Sequence, residues 1–270
     1  MTREDLAEFL KSRRAAIEPA QVGLPDAGRR RAPGLRREEV ALLAGVSVTW
    51  YTWLEQARPI NASQSVLDAL ARALLLDDAQ HAHLLALAAP EIELPDDLGT
   101  EPPPDALVRL IETFGPNPSY ILGPRWEFLA WNAAQGRLYP RIAELDDEDR
   151  NLLWIVFNAP GIRELIADWE REARRMLLQF RADTTAIRAD PVVVDLVARL
   201  EARSPEFADW WASHDVSGFH TRLRRYHHPE AGDLVFEYQQ LTPAEWPDFR
   251  VVCQLAVPGD DSADRLAVAE

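Results

Sequence analysis

Five arginines, Arg29, Arg30, Arg31, Arg36 and Arg37, fall within residues 29–37, and a short helical segment, SVTWYTWLE from Ser47 to Glu55, follows them. Guanidinium groups packed this closely suit phosphate oxygens, which they meet with charge and with a planar fork of donors. Gly28, Pro33 and Gly34 keep the arginine stretch from being helical, so it reads as a loop free to lie against a phosphate backbone or a minor groove. A second group, His214, Asp215, His220, His227 and His228 with the single Cys253, offers metal or hydrolytic chemistry. Its spacing does not match an H-E-x-x-H helix, and neither a G-x-S-x-G turn nor a glycine-rich phosphate loop occurs. His214 suits the C-terminal end of the SPEFADWWAS helix, and His228 precedes Pro229 and is biased to extended backbone. No metal, no cofactor and no catalytic residue are therefore expected, and hydrolysis stays only as an alternative.

The elements that must position the arginines can be read residue by residue. Arg36 to Ala44 makes a first helix, with Glu38 and Glu39 in the turn where the helix dipole favours acid. Gly45 ends it, Val46 turns back to the core, and Ser47 caps the next helix by accepting a backbone N–H. Tyr51 and Leu54 then face inward, leaving Val48, Thr49, Thr52 and Trp53 outward. This is the arrangement in which one helix crosses the phosphate backbone and the next lays its first residues in the major groove. Arg30, Arg31, Arg36, Arg37, Ser47, Val48, Thr49, Thr52 and Trp53 are the predicted DNA-contacting residues. Neither Val nor Trp makes the bidentate hydrogen bonds that single out G or A. Readout is thus expected to lean on thymine methyl contacts and DNA shape, with arginines supplying affinity. The other reading is that Trp50 and Trp53 bind another protein or a second subunit.

The rest of the chain must explain a net charge of −15. Residues 1–90 are balanced, with 11 basic and 11 acidic residues, so the whole excess lies after Pro90. PEIELPDDLGTEPPP, rich in proline and acid, reads as a linker over residues 91–104. Before it lies an all-α domain, residues 1–90, of about five helices. One apolar stripe is Leu6, Phe9, Leu10 and Ile17, a second is Val40, Leu43 and Ala44, and a third is Val66, Leu67, Leu70 and Leu74. After the linker, SYILG and WEFLAWN read as two strands, followed by a short helix from Ala133 to Tyr139. One apolar face then runs helically from Ile162 to Phe180, and TRLRRYHH, DLVFEYQQL and FRVVCQLAV make three closing strands. Residues 105–258 thus form an α+β domain with an antiparallel sheet and a helical insertion, and 259–270 read as a flexible tail. The lone cysteine fits a reducing cytosol, and neither a signal peptide nor an apolar run of about 18 residues is seen, so a soluble cytoplasmic protein is expected.

EEVALLAGVS, followed by Tyr51, Leu54, Glu55 and the helix SVLDALARALLL, resembles the phage-repressor (XRE) class of helix-turn-helix domains over about residues 3–88. By that resemblance Arg37 stands where the class usually has a phosphate-gripping Gln, and Arg14 and Glu55 stand where it has an ion pair joining core helices. Ala57 replaces a usual Gly. In the second domain, PSYILGPRWEFLAWNAA, SPEFADWWASHDV and HHPEAGDLVFEYQQL resemble, in that order, the ligand-binding domain of MmyB-like transcription regulators, whose fold is similar to a PAS domain. The two resemblances imply a one-component regulator that joins a reader of double-stranded DNA to a sensor, and an apolar ligand, a fatty-acyl compound among the candidates, held inside the PAS-like sheet. The aromatic residues of this domain suit an apolar pocket on their own terms. Tyr120, Trp126, Phe128, Trp131, Trp169, Met176, Phe180, Phe236, Tyr238 and Cys253 are the predicted ligand-binding residues. A homodimer on a near-palindromic site is expected, since one small helical domain has little specificity alone. The alternative is a protein-interaction module or hydrolase built on the C-terminal domain.

Overall fold

The computed structural model describes residues 2–25, 34–89, 101–212, 216–218 and 222–269. These divide between a helical unit, drawn from residues 1–93, 181–186 and 209–218, and a larger α+β unit drawn from 94–180, 187–208 and 219–270.

The helical unit carries five α-helices from the N-terminal stretch, α1 (Thr2–Ala16), α2 (Arg37–Ala44), α3 (Val48–Glu55), α4 (Gln64–Ala73) and α5 (Asp78–Ala88). Its core is the predicted stripe of α1 packed on Tyr51, Leu54, Leu70 and Leu84, all buried. Each such side chain contributes about 1.5–3 kcal/mol by leaving water. The second stripe needs correction: Val40, Ala41 and Ala44 are buried, while Leu43 is exposed and Leu42 more so, at 73%. A two-turn helix offers two overlapping apolar faces, and the close approach of α2 to its neighbours selects the one carrying alanines. Ala182 and Val216 also pack on this core, and Thr185 Oγ1 lies 2.6 Å from His83 Nδ1. Two segments of the predicted second domain therefore belong with the first.

The α+β unit holds β1 (Ser119–Leu122), β2 (Phe128–Trp131), β3 (Arg222–His228), β4 (Gly232–Leu241) and β5 (Arg250–Ala256) in one antiparallel sheet, ordered β2-β1-β5-β4-β3. On one face α6 (Asp105–Thr113) buries Leu107 and Ile111 against Ile121 and Val251. The helical insertion between β2 and β3 runs through α7 (Ala133–Leu138), α8 (Leu152–Asn158), α9 (Ile162–Leu165), α10 (Trp169–Asp183), α11 (Pro191–Arg203) and α12 (Pro205–Trp211). Side-chain caps fix it: Asn132 accepts from Gln135 N, Asn151 from Leu153 N, and Asp190 from Val192 N while pairing bidentately with Arg125.

Two expectations fail here. The apolar face from Ile162 to Phe180 is not one helix. Ile166 bridges Tyr226, Ala167 N donates to Arg225 O, and Asp168 takes φ 53°, so the chain leaves α9, touches β3 and starts again as α10. The predicted tail is also structured: Ser262–Val268 is a helix, α13, with Ala263 and Leu266 buried. It is fastened through Ser262 Oγ, which accepts Val235 N–H, and through Arg265, which donates to the carbonyls of Ala231 and Asp233.

Candidate functional site

The DNA-facing candidate is built from α2, the turn and α3. Gly45 adopts φ 68°, and its N–H returns to the end of α2. Ser47 Oγ accepts from Trp50 N at 3.1 Å and starts α3. Tyr51 and Leu54 point inward, so Val48, Thr49 and Trp53 are exposed and Thr52 half-buried along the opposite face. Trp50 instead packs on the core, and the Arg58 guanidinium sits 5.7 Å from the Trp53 ring.

Glu55, at the end of α3, is fully buried and gathers the arginines. Arg14 donates to it through Nε and Nη2, at 2.5 and 3.1 Å, and its Nη1 reaches Leu35 O. Arg37 donates Nε to the same carboxylate at 2.6 Å and leaves the rest of its partly exposed guanidinium outward. Burial alone would raise the Glu55 pKa; hydrogen bonds from Arg14 and Arg37 hold it below the ordinary range. One carboxylate between two arginines leaves one surplus positive charge, placed beside the exposed face of α3. Arg36 is exposed, and its backbone N–H is held by Glu39 at 2.6 Å. Arg30 and Arg31 lie outside the described residues.

In the α+β unit a cavity of about 40 Å³ lies between the sheet and the helical insertion. Of the predicted ligand residues, Tyr120, Phe128 and Met176 line it. Tyr238 touches its edge through a 2.9 Å bond between its hydroxyl and that of Tyr120. Trp126 and Phe180 meet edge-to-face at 5.4 Å, both almost wholly buried, and are core. Phe236 is likewise buried and packs toward Tyr226. Trp131 is half-buried, edge-on to Phe128. Trp169 donates its indole N–H to Val156 O, stacks under Arg163 and is not among the lining residues. Cys253 does not line it either: register places it beside Ser119 and Gln239, on the face opposite its neighbour Gln254. The period-two alternation of β5 decides this, because Val251 shares the Cys253 face and that face meets α6.

The cavity walls are mostly aliphatic, from Leu138, Ile142, Leu152, Ile155 and Ile162. Its polar end is Arg224, Tyr226, Gln254 and Gln135. Tyr226 donates to Gln254 Oε1, and Gln254 donates to Gln135 Oε1 at 3.0 Å. Burial pushes the Tyr120 and Tyr226 phenols up, so both are neutral hydroxyls. These polar residues were missed in the sequence, although a signal existed: Arg222, Arg224, Tyr226 and His228 alternate with exposed positions along β3. Of the histidines, His228 is buried, accepting backbone N–H groups at Nδ1 and donating Nε2 to Arg137 O, and His227 pairs with Asp233 at the surface. His214, Asp215 and His220 lie outside the described residues.

Residues 103–269, well over half of the chain, match the family model of the MmyB-like transcription regulator ligand binding domain. Residues 5–84 match that of a helix-turn-helix domain. None of the curated proteins compared with the chain matches it. Among the described residues no helix is long and apolar enough to cross a membrane.

Proposed function

The chain belongs to the MmyB-like transcription regulators, DNA-binding proteins with a ligand-binding domain, and we propose that it is a cytoplasmic one-component sensor in which an apolar ligand in the cavity adjusts operator binding. The observation carrying the DNA half is the outward face of exposed Val48, Thr49 and Trp53 with half-buried Thr52, flanked by an Arg37 that Glu55 holds in place. Arg36 and Arg37, with Arg30 and Arg31 earlier in the sequence, contact phosphate. Thr49, Val48 and Trp53 meet base edges and thymine methyls. Two copies bind a near-palindromic site with half-sites about 34 Å apart. Operator-like DNA titrated at several salt concentrations tests this, because phosphate contact releases counterions and gives a linear log–log slope. A flat slope would reject DNA as the partner, and a single copy per operator in ultracentrifugation would reject the dimer.

The ligand half rests on the aliphatic cavity. At about 40 Å³ it has room for roughly three waters, so an acyl chain enters only as wall side chains move aside. Met176 is unbranched and adapts readily, and the aliphatic residues of α8 and α9 shift with their short helices. A medium- or long-chain fatty acid is the ligand proposed. Binding only the folded state, it raises stability by about 2.7 kcal/mol at a hundredfold excess over its Kd. To switch the protein it must favour one arrangement over another, since equal affinity shifts nothing. Thermal melting with a series of acyl compounds tests the reading, and no change with any of them would reject it.

A further inference from the structure

Arg58, three residues beyond the end of α3, is exposed, and among the described residues its guanidinium has no hydrogen-bond or ion-pair partner. Arg14 and Arg37 differ, since each spends its Nε on the Glu55 carboxylate. The left-handed turn at Ala57 sends the chain back on itself, and Arg58 N–H donates to Trp53 O at 3.0 Å. Arg58 is thereby brought level with the last turn of α3. Its guanidinium sits 5.7 Å from the centre of the Trp53 ring, within the range at which an indole attracts a cation. Trp53 keeps 39% of its surface exposed. Residues 53 and 55 are about 200° apart around a helix, so Trp53 with Arg58 and Glu55 with its two arginines lie on different sides of α3.

The charge at this end of α3 matters for an approaching phosphate. The last carbonyls of a helix carry the negative end of its dipole. When the first residues of a reading helix enter the major groove, its last turn stands out toward the backbone, where that negative end opposes phosphate. An arginine at that end, not spent on a carboxylate, reverses the sign.

We propose that Arg58 is a further DNA-contacting residue, which takes a backbone phosphate with its guanidinium while its cation–π contact fixes the Trp53 indole against the bases. The proposal rests on the reading that α3 faces DNA. It adds a phosphate contact from beyond the helix-turn-helix itself, and it makes the sequence preference carried by Trp53 depend on a residue that reads no base. Arg58 is in this respect a positioning residue as well as a contact.

The experiment uses the full chain and a duplex that the unaltered protein selects from a random pool, titrated at several salt concentrations. Arg58→Ala is expected to lower the salt slope by about one unit and to weaken binding about tenfold to a hundredfold, as loss of a charge-assisted hydrogen bond does. A merely structural role would leave that slope unmoved. Arg58→Lys keeps the charge and therefore the slope, but lacks the planar group that lies over the indole, so discrimination against altered duplexes falls. In the Trp53→Ala background the loss caused by Arg58→Ala should be smaller by about twofold to fivefold, the worth of an exposed cation–π pair. An unchanged slope in Arg58→Ala would overturn the phosphate contact, and additive losses in the double variant would overturn the coupled pair. Arg58→Gln, which removes the charge and keeps a polar chain, gives the same reading of the slope where the alanine variant fails to fold. Failure of the unaltered protein to select any duplex would overturn the DNA reading itself, and this proposal with it.

Discussion

Each unit buries one glutamate among arginines, Glu55 at the end of α3 and Glu172 on α10, and the two clusters differ in where the surplus charge lies. Around Glu55 both arginines are within hydrogen-bond distance, and the second, Arg37, keeps its free edge toward solvent. Around Glu172 four arginines compete: Arg222 and Arg175 win, half-exposed Arg171 is at 3.6 Å, and Arg224 is left buried at 3.7 Å. The first cluster therefore turns the free edge of a cation toward solvent. The second holds one inward. The same chemistry, a carboxylate outnumbered by its arginines, leaves a cation at the surface in one case and a buried one in the other.

Breaking either cluster should have the largest effect. Glu55→Gln leaves Arg14 without its counter-charge and should cost about 3–5 kcal/mol in urea unfolding, the usual cost of breaking a buried pair. Glu172→Gln should cost a similar amount, about 3–5 kcal/mol, since Arg222 and Arg224 both lose the charge of this carboxylate. The comparison predicts that an anionic ligand recovers part of the loss in Glu172→Gln and none in Glu55→Gln. Recovery in both, or in neither, would show that the clusters do not differ as their geometry indicates.

Next in size are the DNA contacts. Arg37→Ala should lower the salt slope of binding by about one unit and weaken all sequences alike, whereas Thr49→Ala and Trp53→Ala should change the preference between sequences. A slope left as it was would remove Arg37 from the interface and make it a packing partner of Glu55 only. Circular dichroism melting of the same variants separates lost contact from lost fold.

Why the two sites were unequally legible follows from their physics. The turn was readable because Gly45, Ser47, Tyr51 and Leu54 act locally: a left-handed residue, a cap and two inward positions at helical spacing. The choice between Ala41 and Leu43 was not, because α2 is too short for its period to single out a face. Asp168 gave no warning of the break before α10, since neither glycine nor proline marks its positive φ and the cause is a contact with β3. The tail helix hid because only Ala263 and Leu266 anchor its apolar side. In the cavity, aromatic bulk drew attention to Trp126 and Phe180, which seal the core. Aliphatic residues of α8 and α9 form the walls, and an inward arginine identifies the polar end. Its alternation along β3 was visible, but only the packing of α10 over that strand shows that its charge exceeds what Glu172 can satisfy.

Acid should act on both clusters in the same direction. Burial would raise both carboxyls, yet the arginines around Glu55 and Glu172 hold each below the ordinary range. A lowered folded pKa means stability present in full above the unfolded value of about 4.3 and lost as pH falls through the folded value. The slope in that window is up to about 1.4 kcal/mol per pH unit for each proton taken up on unfolding. Urea midpoints measured from pH 6 downward should fall, and Glu55→Gln, having no such proton, should show a shallower fall. An identical slope would place the acid sensitivity elsewhere.

The smallest effect, and the one that isolates the turn chemistry after α3, concerns Ala57. It occupies φ 56°, the left-handed region where a Cβ crowds the carbonyl and which costs an L-residue about 1–2 kcal/mol. The Ala57 N–H nonetheless returns to Leu54 O, and Arg58 N to Trp53 O, so the helix end is closed as a glycine would close it. Ala57→Gly relieves the strain but frees the unfolded chain, which offsets about 0.4–1 kcal/mol of the gain. A net stabilisation between zero and about 1.6 kcal/mol is expected in thermal melts. DNA affinity should hold, because neither Glu55 nor the exposed face of α3 moves. Destabilisation instead would mean that the Ala57 methyl packs usefully and that the strain is the lesser of the two terms.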